Sequence, residues 1–104
     1  MIGNLYSKKM MSQEDRILLH LIDNGKISNK ECNEIYGFRH LPSVIRYLRK
    51  KGIQITSEPR NGENRFGGKV YWVDYVLKAL KEQPPHIQDM IIKFKENITA
   101  RKEV

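Results

Sequence analysis

Arg46 and Lys50, with Ser43 ahead of them and Tyr47 between them, are the side chains in this sequence best suited to meet a polyanion. An arginine fork can bind two-pronged to a phosphate or to the edge of a guanine, whereas lysine acts mainly as a point charge. A serine near a helix start is short enough to touch a base edge or a phosphate, and a tyrosine can stack or hydrogen-bond to the backbone. Around these four lie Arg39, His40, Arg49 and Lys51, and further along Arg60, Asn61, Arg65 and Lys69. Between residues 39 and 69 the basic side chains meet only two acids, Glu58 and Glu63, so this stretch holds nearly all of the chain's net charge of +7. Such concentration is the footprint of a nucleic-acid binder, and the competing explanation is a solvated basic surface that aids solubility.

Catalytic chemistry finds little support. His20, His40 and His86 are isolated, with no HExxH or Cys/His spacing that would hold a metal. The lone Cys32 falls on the apolar side of a short helix and reads as a buried thiol rather than a nucleophile. The glycine-rich stretch from Gly62 to Lys69 contains no GxxxxGK[ST] phosphate loop. The expectation is a protein that is not an enzyme, with no cofactor and no metal.

The elements that must position the basic residues can be read from periodicity. From Leu41 to Gly52, at about 100° per residue, Leu41, Val44, Ile45 and Leu48 form an apolar stripe opposite Ser43, Arg46, Tyr47 and Lys50. Pro42 suits a first helical turn and Gly52 a left-handed stop. Ahead of it, Ser12 reads as the N-cap of a helix with Glu14 and Asp15 in its first turn. Ile17, Leu18, Leu21 and Ile22 form its stripe, and Asn24-Gly25 its end. Lys26 and Ile27 suit a one-residue bridge or short strand. Ser28 and Glu31 have capping-box spacing, opening a short helix whose apolar side is Cys32, Ile35 and Tyr36. Gly37 to His40 then form a tight turn, with Phe38 as its corner plug.

After Gly52 the period changes to two. Ile53 and Ile55 alternate with polar neighbours until Pro59 closes the strand, and a second strand spans Val70 to Tyr75. Arg60 to Lys69 between them is a polar, glycine-rich hairpin loop. Phe66 in that loop is either a tip wedge or, more commonly for such a residue, an inward pin for the hairpin.

This order of elements, ending in the segment GENRFGGKV from Gly62 to Val70, resembles the small winged helix-turn-helix domains common in bacteriophage and prophage proteins. The resemblance covers residues 12 to 77. It implies an α+β, mostly helical fold: a three-helix core plus a two-stranded β-wing, followed here by a C-terminal helical extension. It also implies a DNA-binding module, carried on Ser43, Arg46, Tyr47 and Lys50 of the helix and Asn61, Arg65 and Lys69 of the wing.

With 104 residues the chain suits one domain that buries roughly two-thirds of its unfolded surface, with residues 1–11 as a flexible leader and 78–104 as the extension. No apolar run approaches the ~20 residues needed to span a bilayer, and the opening residues lack a signal-peptide pattern, so the expected setting is the cytoplasm, which the resemblance implies is that of a bacterial host cell. In the extension, Leu77 and Leu80 suggest a short helix broken at Pro84-Pro85, after which Ile87, Met90, Ile91, Phe94 and Ile98 recur at helical spacing. This stripe either packs on the domain's own core or pairs with a second copy to form a homodimer.

Two functions from different classes follow. One is a sequence-specific binder of double-stranded DNA. The other is an interaction module that uses the same scaffold to block a host protein, such as a nucleic-acid-handling defence enzyme. RNA binding is a weaker third, since no aromatic stacking platform stands out in the sequence.

Overall fold

A computed structural model of the chain describes residues 11–37 and 39–103, with side chains as far as 98. The expected leader, apart from Met11, and the corner residue Phe38 lie outside the described residues. Ser12 caps α1 (Gln13–Asn24), its hydroxyl accepting the Asp15 amide at 3.1 Å. Ile17, Leu18 and Leu21 are buried on one side of this helix, and the Gly25 amide closes its end on the Leu21 carbonyl. β1 (Lys26–Ser28) follows, with Ile27 fully buried.

Ser28 is both the last residue of β1 and the cap of α2 (Asn29–Tyr36). Its hydroxyl accepts the Glu31 amide at 3.2 Å while Glu31 Oε1 accepts the Ser28 amide at 3.1 Å. Such a reciprocal cap stabilises a short helix by about 1 kcal/mol. Of the apolar side expected for α2, Cys32 is buried and Tyr36 half-buried, but Ile35 is 57% exposed. In so short a helix the inward stripe is the i, i+4 pair of Cys32 and Tyr36, and Ile35 lies beside it, toward solvent.

α3 (Leu41–Lys50) buries Leu41, Val44, Ile45 and Leu48, each of which contributes about 1.5–3 kcal/mol through burial. Gly52, at φ +106°, turns the chain out of the helix in a conformation that a side chain would strain. Ile53 is buried but precedes the sheet.

The hairpin is longer than its sequence implied. β2 (Ile55–Glu63) runs straight through Pro59, and β3 (Lys69–Leu77) pairs with it along its whole length, from Ile55 opposite Leu77 to Glu63 opposite Lys69. Proline is tolerated because β2 is an edge strand, where a missing N–H need not break the ladder. The loop therefore shrinks from Arg60–Lys69 to the residues between Glu63 and Lys69. β1 pairs with the other edge of β3, Ile27 opposite Tyr75, so the sheet has three antiparallel strands in the order β1-β3-β2 rather than the two of a simple wing.

Beyond β3 the expected short helix is absent. Leu77 is the last residue of the strand, and only a 3₁₀ turn (Leu80–Glu82) precedes α4 (Pro85–Glu103). Of the two fates open to the α4 stripe, packing inward is the one observed. Ile87 and Ile91 are buried in the same core as α1 and α3, Met90 and Phe94 pack against that core, and Ile98 is buried. Lys95 Nζ also meets Asp23 Oδ1 of α1 at 3.0 Å. No described helix is long and apolar enough to cross a membrane.

Candidate nucleic-acid interface

The outward side of α3 gathers Ser43, Arg46, Tyr47 and Lys50, all exposed, over a fully apolar inner side. Arg39 and His40 are exposed where the chain approaches this helix, and His40 occupies the N-cap position without a side-chain capping bond. The first turn holds no acidic residue, so the positive end of the helix dipole meets no protein counter-charge there. Arg49 and Lys50 lie in the last turn, where cations are favourable. Lys51 Nζ sits 4.8 Å from the centre of the Tyr47 ring, a cation–π contact that holds both at one margin of the face.

Arg49 is differently placed. Its guanidinium binds the Ile55 carbonyl through Nε at 3.0 Å and Nη2 at 2.8 Å, and Ser57 Oγ through Nη2 at 2.9 Å. This fork ties α3 to the base of β2. It also shows which face of the hairpin adjoins the helix: the one bearing Ile55 and Ser57.

Side chains alternate along a strand, and directly paired residues share a face. The face of Ile55 and Ser57 therefore also carries Asn61 opposite Tyr71 and Glu63 opposite Lys69. Asn61, Lys69 and Tyr71 line a hollow of about 340 Å³ with Gly62 and Glu63. The other face carries Arg60 opposite Trp72 and Glu58 opposite Asp74. Arg60 and Asn61, neighbours in the expected contact set, are thus separated by the sheet itself.

Arg60 is also engaged within the protein. Its Nε meets Asp74 Oδ2 at 3.1 Å and its Nη2 meets Glu58 Oε1 at 2.7 Å, while Lys26 Nζ approaches Asp74 Oδ2 at 3.6 Å. The Asp74 carboxylate, only 6% exposed, is covered by these two cations. The structure thus gives Arg49 and Arg60 structural partners, whereas Ser43, Arg46 and Lys50 on the helix and Asn61, Arg65 and Lys69 on the hairpin stand exposed.

Sequence reasoning missed Tyr71, which is 73% exposed on the helix-facing side of the hairpin. The signal was the period-two alternation of β3, which separates Tyr71 from Trp72 once the register is known. The hairpin does expose aromatics, but with Tyr71 and Trp72 on opposite faces they do not form one stacking platform.

Away from this surface, His20 is buried, with Nδ1 2.8 Å from the Tyr36 hydroxyl oxygen and Nε2 lacking a hydrogen-bond partner. Burial pushes the Cys32 thiol and the Tyr36 phenol up from their ordinary pKa values. Among the described residues no group of three or more His, Cys, Asp or Glu side chains could hold a metal ion.

Residues 12–79 match a family model described as a winged helix-turn-helix domain. No curated protein and no solved structure matches the chain.

Proposed function

We propose, from the premise that this chain belongs to the winged helix-turn-helix domain family, that it is a sequence-specific binder of double-stranded DNA. α3 enters the major groove, and the hairpin serves as the wing on the adjacent backbone or minor groove. Arg46 is the principal base-reading side chain, because it is exposed near the middle of the outward face and can fork onto guanine. Lys50 and Ser43 flank it, while Arg65 and Lys69 bring positive charge from the wing. In biological terms this is a phage or mobile-element regulator, or an accessory protein that marks a DNA site, in the host cytoplasm.

One observation carries the reading. The Arg49 guanidinium ties the last turn of α3, the helix on which Arg46 and Lys50 are exposed, to Ile55 and Ser57 at the base of the hairpin. Helix and wing can thus meet one duplex as a single body. The alternative, a module that blocks a host protein with the same scaffold, basic face and C-terminal helix, has less to draw on from α4, where Ile87, Ile91 and Ile98 are buried and Met90 and Phe94 pack on the core.

The test is a fluorescence-anisotropy titration at two salt concentrations with duplex DNA taken from around the protein's own gene. If about five cations meet phosphates, log affinity falls with log salt at a slope near −4 to −5. Binding that resists random competitor and collapses in the Arg46→Ala, Lys50→Ala double variant supports DNA reading. Binding indifferent to salt, to competitor and to those substitutions overturns it.

A further inference from the structure

Phe66 is the most exposed large apolar side chain described, 88% open to solvent at the turn of the hairpin. A single surface phenylalanine is ordinarily unremarkable. This one is held out by a loop built to keep its shape. Asn64 Oδ1 accepts both the Phe66 and Gly68 amides at 2.9 Å, and the Asn64 amide binds the Gly68 carbonyl at 2.8 Å. The Gly67 amide closes on the Asn64 carbonyl at 3.0 Å, with Gly67 itself at φ +81°. The hairpin around the ring offers no buried side chain: every residue from Pro59 to Trp72 except Gly62 is exposed. Arg65 and Lys69 lie beside it in sequence, both exposed.

The reach of the hairpin points to what the ring meets. From Ser57, fixed to α3 by Arg49, to Glu63 at the end of the strand, the rise is about 20 Å at ~3.3 Å per residue. Along a duplex, a major groove and the next minor groove are about half a turn, or ~17 Å, apart. The hairpin is thus long enough to reach the next groove from α3 in the first.

We propose that Phe66 is a wedge that inserts between base pairs from the minor groove, partly unstacking one step, with Arg65 and Lys69 neutralising the flanking phosphates. This inference rests on the DNA-binding reading and adds a deformation to it. An apolar ring opening a step kinks the duplex and favours sequences or lesions that unstack easily. The ligand of this subsite is therefore a weakly stacked base step, not a particular base edge.

The experiment compares a paired duplex of about two helical turns with the same duplex carrying one bulged adenine, by anisotropy titration against the wild type and three variants. The wild type binds the bulged duplex about tenfold more tightly, because the unstacking has already been done. Phe66→Ala loses that preference while retaining paired-duplex affinity to within a few-fold, and Phe66→Trp keeps it. Asn64→Ala, which leaves the ring but frees the loop, retains only part of it. Matching thermal melts establish that the variants fold. A wild type that does not distinguish the duplexes, or a Phe66→Ala variant that still does, overturns the wedge. If paired-duplex binding nonetheless remains sensitive to salt and to Arg46 and Lys50, only the wedge falls. If neither duplex is bound in a salt-sensitive way, the DNA-binding reading falls with it.

Discussion

Arg49 grips the backbone carbonyl of Ile55 with two nitrogens, Nε at 3.0 Å and Nη2 at 2.8 Å, so the last turn of α3 and the first residue of β2 are hinged by one planar group. A side chain that from its charge alone belongs with the phosphate contacts acts instead as a brace between the two surfaces that would touch DNA. Charged hydrogen bonds of this kind contribute about 1.5–3 kcal/mol where water is partly excluded, and less at an exposed site.

Replacing Arg49 by lysine keeps the charge but removes the fork. The expected outcome is a loss of about 1 kcal/mol in urea denaturation, together with weaker duplex binding and an unchanged salt slope. A mere phosphate contact would behave otherwise: lysine would substitute well, and Arg49→Ala would flatten the slope by about one.

Arg60 separates the same two roles on the outer face of the sheet. Its partner Asp74 is nearly buried, so Arg60→Ala leaves that carboxylate with Lys26, at 3.6 Å, as its remaining ion pair. Stability falls by about 1–3 kcal/mol, and Asp74→Asn in the Arg60→Ala background recovers part of the loss by removing the poorly compensated charge. DNA affinity, measured where both proteins are fully folded, changes little. A large affinity loss with normal stability would return Arg60 to the contact surface.

The parts of the fold legible in the sequence were those set by neighbours a few residues apart. The Ser12 cap, the Ser28 and Glu31 box and the buried stripe of α3 are all local, and all are present. The hairpin was misjudged where a local rule met a nonlocal fact. Pro59 normally ends a strand, but on an edge it does not, and edge status depends on β1 and β2 taking opposite sides of β3. The candidate site suffered in the same way. That Arg49 and Arg60 have internal partners, or that Tyr71 rather than Trp72 shares the face of Ser57, follows from the pairing of distant segments, which no run of adjacent residues encodes. Phe66 was left between two fates because only the completed hairpin shows its ring turned to solvent, 88% exposed.

Gln83 had no sequence signal at all, yet it clasps the C-terminal extension to the domain. Its buried amide accepts the Gln54 N–H on Oε1 at 2.8 Å, and Nε2 donates to the carbonyls of Gln54 and Lys78, each at 3.0 Å. Gln83→Ala strands these groups, at a cost of about 1–3 kcal/mol. Hydrogen exchange is expected to rise at the Gln54 amide and in the first turns of α4 before it rises in α1 or α3. Uniform acceleration across the chain would mean that Gln83 stabilises the whole and is not a local clasp.

Alkaline pH tests Cys32 and Tyr36, the inward pair of α2. The Cys32 thiol is fully buried, and desolvation raises its pKa above the ordinary 9.0. Burial likewise raises Tyr36 above 10.0, helped by the negative potential of Cys32, Asp23 and Glu31 and opposed by Arg16. Both groups are neutral when protonated, and folding favours that form. Their contribution is therefore fully present below the unfolded values and is lost as pH rises through the raised folded ones, because the unfolded chain releases its protons first. Urea midpoints are expected to hold level from neutrality until the pH nears the ordinary thiol value of 9.0, and then to decline. Cys32→Val should flatten the earlier part of that decline and Tyr36→Phe the later part. A thiol reagent should label Cys32 only at the rate of local or global opening, since the buried thiol is both shielded and protonated. Rapid labelling of the native protein would mean that α2 opens readily, and the first helix of the helix-turn-helix would then be a mobile support for α3 rather than a rigid one.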